Sequence, residues 1–368
     1  MVLDGFTPFP LDLAEKYRSA GLWRDMTIGD LLDRAAAAHP QKTALVDDKV
    51  RVIYQELAER VNRLALGLLE LGIRKEDRVT VQLPNVAEFV YFYLALTRIG
   101  AVGVLILPQH RSREVEYMLQ LTESVAFVCP TVYRGFDYPA MIREIQPRLP
   151  HLKHLIVAEE RGSSEAISLT ELMEEGAKER DHAEALRQVA SSSDDVSVIL
   201  WTGGTTANPK GGPHTHNTLI GYVTPIDSRW GYHSQSIFFL SAPVAHMAGL
   251  SLGVNAALLH GATLILLTAT GPEETLQTIQ RERVTHTFLV PTQAIAVLNS
   301  PSLPQYDLSS LEVVGSGAAH VPPELVQEMK ERLGCKVVNC YGMTEGLASF
   351  TYKDDPHEIT AETVGRPT

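Results

Sequence analysis

The chain has little of several features that would define its class at once. Its 368 residues include three cysteines, Cys129, Cys335 and Cys340, an odd number without Cys-x-x-Cys spacing. Lysine and arginine number 32 against 44 aspartates and glutamates, which gives a formal net charge of −12. No apolar run approaches a membrane span, and the acidic N-terminus is not a secretory signal. These absences argue against a disulfide framework, a nucleic-acid-binding face and a membrane anchor, and they suit the reducing cytoplasm.

An alternation of apolar strands and amphipathic helices is what the sequence does contain. Runs such as Arg78–Leu83 and Ala101–Leu107 predict buried strands, and the apolar stripe from Tyr54 to Leu71 predicts a helix. Such alternation predicts βαβ units and a mainly parallel sheet. The polar connector Ser191–Asp195 predicts the boundary between two α/β lobes, residues 1–195 and residues 196–368.

A loop with the composition of a polyphosphate-binding loop follows the predicted strand Val196–Leu200. Its sequence is Thr202-Gly-Gly-Thr-Thr-Ala-Asn-Pro-Lys-Gly211. Glycines let the backbone approach closely, backbone amides and hydroxyls donate to phosphate oxygens, and a lysine supplies a mobile positive charge. The lysine precedes glycine rather than Ser or Thr, so the loop is not a Walker A motif. An ordinary Gly/Thr-rich surface loop is the alternative interpretation.

This loop resembles the phosphate loop of the adenylate-forming superfamily, which includes acyl-CoA synthetases, adenylation domains of peptide synthetases and luciferases. The doubled Gly203-Gly204 is similar to the stand-alone aryl-acid ligases, above all the 2,3-dihydroxybenzoate–AMP ligases. Ala207 stands where the family usually has glycine. By this resemblance, the residues expected to bind the phosphates of ATP are Thr202, Gly203, Gly204, Thr205, Thr206 and Lys210, the last also catalytic.

A second motif, Tyr341-Gly-Met-Thr-Glu345, matches the superfamily's Tyr-Gly-x-Thr-Glu signature. The resemblance implies that Tyr341 lies against adenine beside Gly342, that Thr344 meets the α-phosphate, and that Glu345 holds Mg²⁺. Magnesium takes hard oxygen ligands, often one carboxylate together with substrate phosphates, which suits this glutamate. The alternative is a polar strand-to-loop transition with an N-capping threonine.

A third segment, Gly315-Ser-Gly-Ala-Ala319, resembles the family's adenine-binding strand end. Gly317, Ala318 and Ala319 are therefore expected at the nucleotide. Small residues allow a flat purine to lie against the backbone. Close packing of strand on helix would favour the same residue types.

The segment Ala242-Pro-Val-Ala-His-Met-Ala-Gly-Leu-Ser251 resembles the family segment around a Pro-x-x-His. It implies a catalytic His246 between the acid substrate and the phosphate. The dihydroxybenzoate ligases have an asparagine after this histidine, placed to bond a ring hydroxyl. Met247 offers no useful donor and so favours a more apolar acid. The residues expected at the acid are His246, Met247, Ser251, Gly317, Gly342 and Leu347.

The pair His214 and His216 follows the phosphate loop at the predicted start of a helix. Two histidines at this spacing could suggest a metal site. No third ligand of matching spacing appears, so the pair is not expected to bind a metal.

The resemblance covers essentially the whole chain, including an N-terminal arm at Gly5–Pro10 and Tyr17–Trp23. It implies two doubly wound, mainly parallel α/β lobes plus a distorted β-barrel, with the phosphate loop and acid pocket in the second lobe. The family continues beyond Thr368 with a hinge and a small mobile domain that bears a catalytic lysine. We therefore expect the large N-terminal domain alone, impaired without its C-terminal domain.

The function that the resemblance implies is ATP- and Mg²⁺-dependent activation of an aromatic acid to an acyl-adenylate. The acyl group would pass to a carrier-protein thiol in a siderophore-type pathway. The runner-up, motivated by Met247, is a CoA ligase for an aromatic, alicyclic or medium-chain acid. A nucleotide-binding module without turnover is the alternative of another class, motivated by Ala207 and the missing C-terminal domain.

Overall fold

The predicted alternation of strands and helices is present in the computed structural model, which describes residue 3 and residues 5–159, 166–179, 182–189, 191–203 and 208–368. The strands within these ranges are β1 Thr43–Val46, β2 Arg51–Ile53, β3 Arg78–Val81, β4 Val102–Leu105, β5 Ala126–Cys129, β6 Val132–Tyr133, β7 Phe136–Asp137, β8 His154–Val157, β9 Ile167–Ser168, β10 Val196–Trp201, β11 Gly211–Thr215, β12 Ile237–Leu240, β13 Thr263–Leu266, β14 His286–Phe288, β15 Val313–Gly317, β16 Lys336–Gly342, β17 Ala348–Phe350 and β18 Arg366–Pro367.

The α-helices follow the apolar stripes of the sequence. They are α1 Leu11–Ser19, α2 Ile28–Ala38, α3 Tyr54–Glu70, α4 Ala87–Arg98, α5 Ser112–Thr122, α6 Tyr138–Ile145, α7 Leu169–Gly176, α8 His182–Arg187, α9 His216–Val223, α10 Ile226–Trp230, α11 Ala256–His260, α12 Pro272–Glu282, α13 Pro291–Leu298, α14 Pro323–Leu333 and α15 His357–Glu362. A π-helical segment, Gly249–Asn255, leads into α11. Among the described residues, no helix has both the length and the apolar character that crossing a membrane requires.

The chain divides into two compact units, Met1–Asp33 with Gln55–Asn217 and Arg34–Tyr54 with Thr218–Thr368. The sequence placed the boundary between residues 195 and 196, whereas the units change after residue 217. Strand pairing accounts for this difference, because β10 pairs in parallel with β4 and β11 pairs with β10. The loop that joins β10 to β11, expected in the second lobe, therefore belongs to the first unit.

The first unit is built on a sheet with the strand order β11-β10-β4-β3-β5-β8-β9. The strands from β10 to β9 in this order run parallel, and β11 pairs with β10 in the antiparallel sense. Strands β4 and β5 are buried at every position, as apolar strands are when helices cover both faces of a parallel sheet.

The second unit is built on a sheet with the order β18-β17-β16-β15-β14-β12-β13-β1-β2. The strands from β16 to β1 run parallel, and antiparallel partners flank them on both sides. Because the central strands are parallel, the carboxyl ends of β14, β15 and β16 meet at one edge of the sheet. Ligands of α/β proteins collect at such edges, and two of the predicted motifs follow β15 and β16.

Two glycines let helices α3 and α7 of the first unit approach backbone to backbone. A Cβ placed on Gly67 would overlap the carbonyl of Leu172, and one placed on Gly176 would overlap the carbonyl of Arg63. The contact is therefore reciprocal. Neither position accepts a side chain unless the helices move apart.

We predict that Gly67→Ala lowers the free energy of unfolding by about 1–3 kcal/mol, because overpacking outweighs the roughly 1 kcal/mol by which alanine favours a helix. Gly29→Ala in α2 is the matched control, since a Cβ there would meet nothing closer than Thr27 Oγ1 at 3.5 Å. That variant should be neutral or slightly stabilised. Urea denaturation measures the free energy of unfolding of each variant. Equal changes in Gly67→Ala and Gly29→Ala would contradict the role given to the close approach of α3 and α7.

Candidate functional site

The predicted phosphate loop joins β10 to β11, and hydrogen bonds close its base. Thr202 N donates to Lys210 O at 3.0 Å, and Lys210 N donates to Thr202 Oγ1 at 3.3 Å. Lys210 and Gly203 are exposed. A Cβ on Gly203 would meet no atom within 4 Å, so packing among the described residues does not require glycine there. Four residues of the loop lie outside the described residues: Gly204, Thr205, Thr206 and Ala207.

The histidine pair after the loop lies in β11 and at the start of α9, and both side chains are buried. His216 Nδ1 accepts the amide hydrogen of Ile28 at 3.1 Å, and its Nε2 lies 3.3 Å from Ser191 Oγ. Burial lowers the pKa of His216 to about 4, so the ring is neutral near pH 7. Within the part of the chain that the structure describes, no group of three or more His, Cys, Asp or Glu could hold a metal. The hydrogen bond from Ile28 N to His216 joins the start of α9 to the start of α2.

The two nucleotide motifs of the second unit, Gly315–Ala319 and Tyr341–Glu345, lie at the ends of two neighbouring parallel strands. Gly317 of β15 pairs with Cys340 of β16, so the segments that follow the two strands emerge side by side. A Cβ on Gly315 would overlap the ring of Trp230, and one on Gly317 would overlap the carbonyl of Cys340. Close packing alone is therefore sufficient reason for glycine at both positions.

A cavity of about 630 Å³ opens beside these strand ends, within the usual size range of small-molecule sites. We call it the nucleotide cavity. Of the predicted nucleotide residues in this unit, Ala318, Ala319, Tyr341 and Gly342 line it, whereas Gly317 and Thr344 do not. Tyr341 is 48% exposed, so part of the residue is accessible to a ligand.

Residues 361–365 form another wall of the nucleotide cavity, and sequence reasoning missed them. Asn339 Nδ2 donates to Thr360 O at 3.2 Å and so ties this segment to β16. Gly365 has a φ of +73°, and a Cβ there would overlap the carbonyl of Phe350. The sequence Gly365-Arg-Pro was the available signal, because closely spaced glycine and proline residues mark turns.

Thr344 and Glu345 lie in the turn that joins β16 to β17. Met343 N donates to Leu347 O at 3.0 Å, and Gly346 N donates to Met343 O at 3.1 Å. Gly346 has a φ of +107°, a conformation that glycine adopts readily. The turn buries Thr344 and exposes Glu345. The exposed carboxylate suits Mg²⁺, which keeps several waters and takes one or two protein carboxylates beside substrate phosphates.

A second, smaller cavity of about 30 Å³ contains the predicted acid-binding residues His246 and Met247 in its wall. We call it the acid cavity. It has room for only one or two water molecules, so an aromatic ring enters only when side chains move. The residues that line both cavities are Ala318, Cys340, Tyr341 and Gly342. Besides these four residues, His246 and Met247, the acid cavity is lined by Tyr222, Ala248, Leu252, Phe288, Met343 and Phe350.

His246 is poised to donate a hydrogen bond rather than to carry a charge. Its Nδ1 accepts the amide hydrogen of Ala248 at 3.4 Å, which places the ring proton on Nε2. Burial lowers the pKa of His246, so the imidazole is neutral near pH 7. A neutral ring with a protonated Nε2 can donate to a carboxylate or phosphate oxygen.

Ser251, Gly317 and Leu347, which the sequence placed at the acid, are not among the described residues of the acid cavity wall. Ser251 is buried and its Oγ donates to Met247 Sδ at 3.4 Å, while Leu347 is 49% exposed. Leu252 lines the cavity instead. In an α-helix, a residue five positions after Met247 would lie about 140° around the axis from it. The π-helical winding, with bonds from residue i to i+5, brings Leu252 back towards the Met247 face.

Three aromatic residues of the acid cavity were missed at the level of sequence: Tyr222, Phe288 and Phe350. They come from α9, β14 and β17, and each lies in an apolar element whose pattern indicates core packing. Phe288 ends a parallel strand, and that position was the one usable signal. The other two could not be separated from ordinary core residues by pattern.

Known proteins resemble this chain over its whole length. A family model described as "AMP-binding enzyme" matches residues 32–368. The 2,3-dihydroxybenzoate-AMP ligase of Bacillus subtilis (strain 168) is 38% identical over 100% of this chain, and a 2-hydroxy-7-methoxy-5-methyl-1-naphthoate–CoA ligase of Streptomyces carzinostaticus is 34% identical over 99% of it. The apo structure of MbtA from Mycobacterium smegmatis matches 99% of this chain with a TM-score of 0.87 and 32% identity. The chain spans 66% of the length of each of these three relatives.

Proposed function

Because the chain belongs to the family of AMP-binding enzymes, we propose that it activates an aromatic carboxylic acid with ATP to give an acyl-adenylate. The observation that carries this proposal is the wall shared by the two cavities, which includes Ala318, Cys340 and Gly342. A nucleotide in the larger cavity and a carboxylic acid in the smaller one would meet at this wall, as a transfer between them requires. Similarity to a 2,3-dihydroxybenzoate-AMP ligase supports an aryl acid.

In the proposed reaction, a carboxylate oxygen of the acid attacks the α-phosphorus of ATP. A bond forms between these atoms, the bond from the α-phosphorus to the β-bridging oxygen breaks, and pyrophosphate leaves. The protein contributes positioning and charge stabilisation rather than covalent chemistry.

We assign the β- and γ-phosphates of ATP to the predicted phosphate loop, on the resemblance of its sequence. Lys210, which is exposed, supplies the positive charge for the β- and γ-phosphates. Thr202 and Gly203 supply donors at the base of the loop. The family resemblance extends this role to residues outside the described ranges: Gly204, Thr205 and Thr206.

We assign adenine, the α-phosphate and the carboxylate to residues of the Tyr341–Glu345 motif and to His246. Tyr341 packs against adenine, Thr344 donates to the α-phosphate, and His246 donates from Nε2 to the carboxylate oxygen that attacks. Glu345 would hold Mg²⁺, which when bound offsets negative charge on the phosphates. Its exposure in the β16–β17 turn supports this assignment.

The acceptor of the acyl group is proposed to be a carrier-protein phosphopantetheine thiol, in a siderophore-type pathway. CoA is the runner-up, which the named activity of the naphthoate–CoA ligase relative supports. Supplying the protein with either CoA or an aryl carrier protein separates the two. Product on CoA alone would reject the carrier-protein proposal.

A cytoplasmic location is proposed on the chemistry of the cysteines. Cys129, Cys335 and Cys340 are all free and buried. Burial raises the pKa of Cys335 to about 12, so its thiol is unreactive. Free thiols of this kind suit a reducing compartment.

ATP–pyrophosphate exchange tests the proposed activation step. The protein should exchange labelled pyrophosphate into ATP only when an aromatic acid is present, because reversal of adenylate formation regenerates ATP. Binding of ATP without exchange for any acid of a broad aromatic panel would instead favour a nucleotide-binding module without turnover.

Lys210→Ala is expected to weaken ATP binding at least tenfold while the fold stays intact, because an exposed loop lysine contributes charge to phosphates and little packing. Lys16→Ala, which removes an exposed lysine from α1 of the same unit, is the control and should bind ATP like the parent. Calorimetry gives the affinities and circular dichroism the folding. Equal ATP affinity in parent and Lys210→Ala would reject the assignment.

The wall of the acid cavity favours an acid without an ortho hydroxyl. Met247 Sδ already accepts the Ser251 hydroxyl, and the side chains of Leu252 and Phe288 have no polar atoms. Burying an unpaired hydroxyl costs about 1–3 kcal/mol, or roughly a tenfold to hundredfold loss of affinity. Benzoate or an alicyclic acid should therefore bind better than salicylate.

Met247→Asn should shift this preference towards salicylate and 2,3-dihydroxybenzoate by roughly tenfold or more, because an asparagine amide can pair with the hydroxyl. Met247→Leu keeps an apolar side chain of similar volume and serves as the control. Competitive binding of matched acids with ATP present measures both. A parent protein that already prefers salicylate would mean that another residue makes this contact.

A further inference from the structure

The acid cavity contains one buried hydroxyl to which the proposed chemistry gives no role, that of Tyr222. The residue lies near the end of α9, is 6% exposed, and lines the acid cavity but not the nucleotide cavity. Its ring packs edge to face on Phe350, with centroids 6.2 Å apart and planes at 85°. The ring is therefore held in one orientation, and its hydroxyl has a defined direction.

That direction is towards the end of β16. A Cβ placed on Gly342 would lie 2.9 Å from Tyr222 Oη, closer than real Cβ contacts allow, so glycine at this position makes room for the hydroxyl. Burial, with a smaller contribution from Cys340, raises the pKa of Tyr222. The hydroxyl thus stays protonated near pH 7 and can both donate and accept a hydrogen bond.

The other polar groups of the cavity wall are committed elsewhere. Among the described residues that line it, the side chains with nitrogen or oxygen atoms are Tyr222, His246 and Tyr341. His246 uses Nδ1 on the Ala248 amide, and its Nε2 is assigned to the carboxylate. Tyr341 also lines the nucleotide cavity and is assigned to adenine. Tyr222 Oη is left as the group that faces the body of the acid.

We propose that Tyr222 is a specificity-determining residue whose hydroxyl binds a neutral hydroxyl or amino substituent on the ring of the acid. The inference rests on the proposed function, and it deepens that function by naming the substrate class as an aryl acid with one such substituent. The described wall contains neither lysine nor arginine, so a second carboxylate or a sulfonate on the ring would be buried unpaired and is excluded. Because Met247 disfavours an ortho hydroxyl, the substituent lies at the meta or para position.

The test compares dissociation constants for benzoate and for 3- and 4-hydroxy- and aminobenzoate, with ATP present, in the parent and in Tyr222→Phe. The parent should bind at least one substituted acid roughly tenfold more tightly than benzoate, as a buried neutral hydrogen bond allows. In Tyr222→Phe, the ratio of the affinity for the substituted acid to the affinity for benzoate should fall close to one. The affinity for benzoate itself should stay unchanged. The phenylalanine keeps the ring contact with Phe350.

Tyr232→Phe is the matched control. Tyr232 is buried in the same unit, its hydroxyl has no hydrogen-bond partner in the described structure, and it lines neither cavity. Tyr232→Phe also loses one buried hydroxyl, but its ratio of affinities for substituted acid and benzoate should equal that of the parent. Thermal unfolding with ATP present checks that both variants fold.

Two results would overturn the inference while leaving the proposed function in place. In the first, benzoate and substituted acids bind, but the ratio of their affinities is the same in the parent and in Tyr222→Phe. In the second, the parent shows no preference for any substituted acid over benzoate. Failure of every aromatic acid to bind the parent, with ATP binding retained, would instead reject the proposed function together with the inference.

Discussion

The parallel pairing of β15 with β16 is the contact on which the candidate site depends. It sets Gly317 beside Cys340 with no space for a Cβ between them, so the two strand ends lie as close as backbones can. The segments that follow, including Ala318 and Gly342, are walls of both cavities. A side chain at Gly317 would separate the strand ends, and both cavities would change together.

Most of the fold could be predicted because its signals are local. The cap of α2 is one example: Thr27 N donates to the Asp30 carboxylate at 2.7 Å, and Asp30 N donates to Thr27 Oγ1 at 3.1 Å, a capping box between residues only three apart in the sequence. The membership of β10 in the first unit could not be predicted, because it follows from pairing with β4, a strand far away in the sequence. The distorted barrel stays a prediction.

The candidate site could be predicted where motifs end strands. Ala318 and Tyr341 line the nucleotide cavity, and His246 lines the acid cavity. Which neighbour of a motif faces a cavity depends on the winding of the backbone, and apolar periodicity does not distinguish a short π-helical segment from an α-helix. The sequence therefore predicted Ser251 in the wall of the acid cavity, where the structure has the next residue, Leu252.

The small volume of the acid cavity has a consequence for how binding free energy is distributed. A void of about 30 Å³ must expand before it admits a ring, so the observed affinity equals the intrinsic affinity multiplied by the population of the expanded state. A substitution that widens the cavity in the free protein would raise that population and tighten binding of every ring-bearing acid by the same factor. Affinity and discrimination are therefore separable properties of this wall, the first governed by its packing and the second by its few polar atoms.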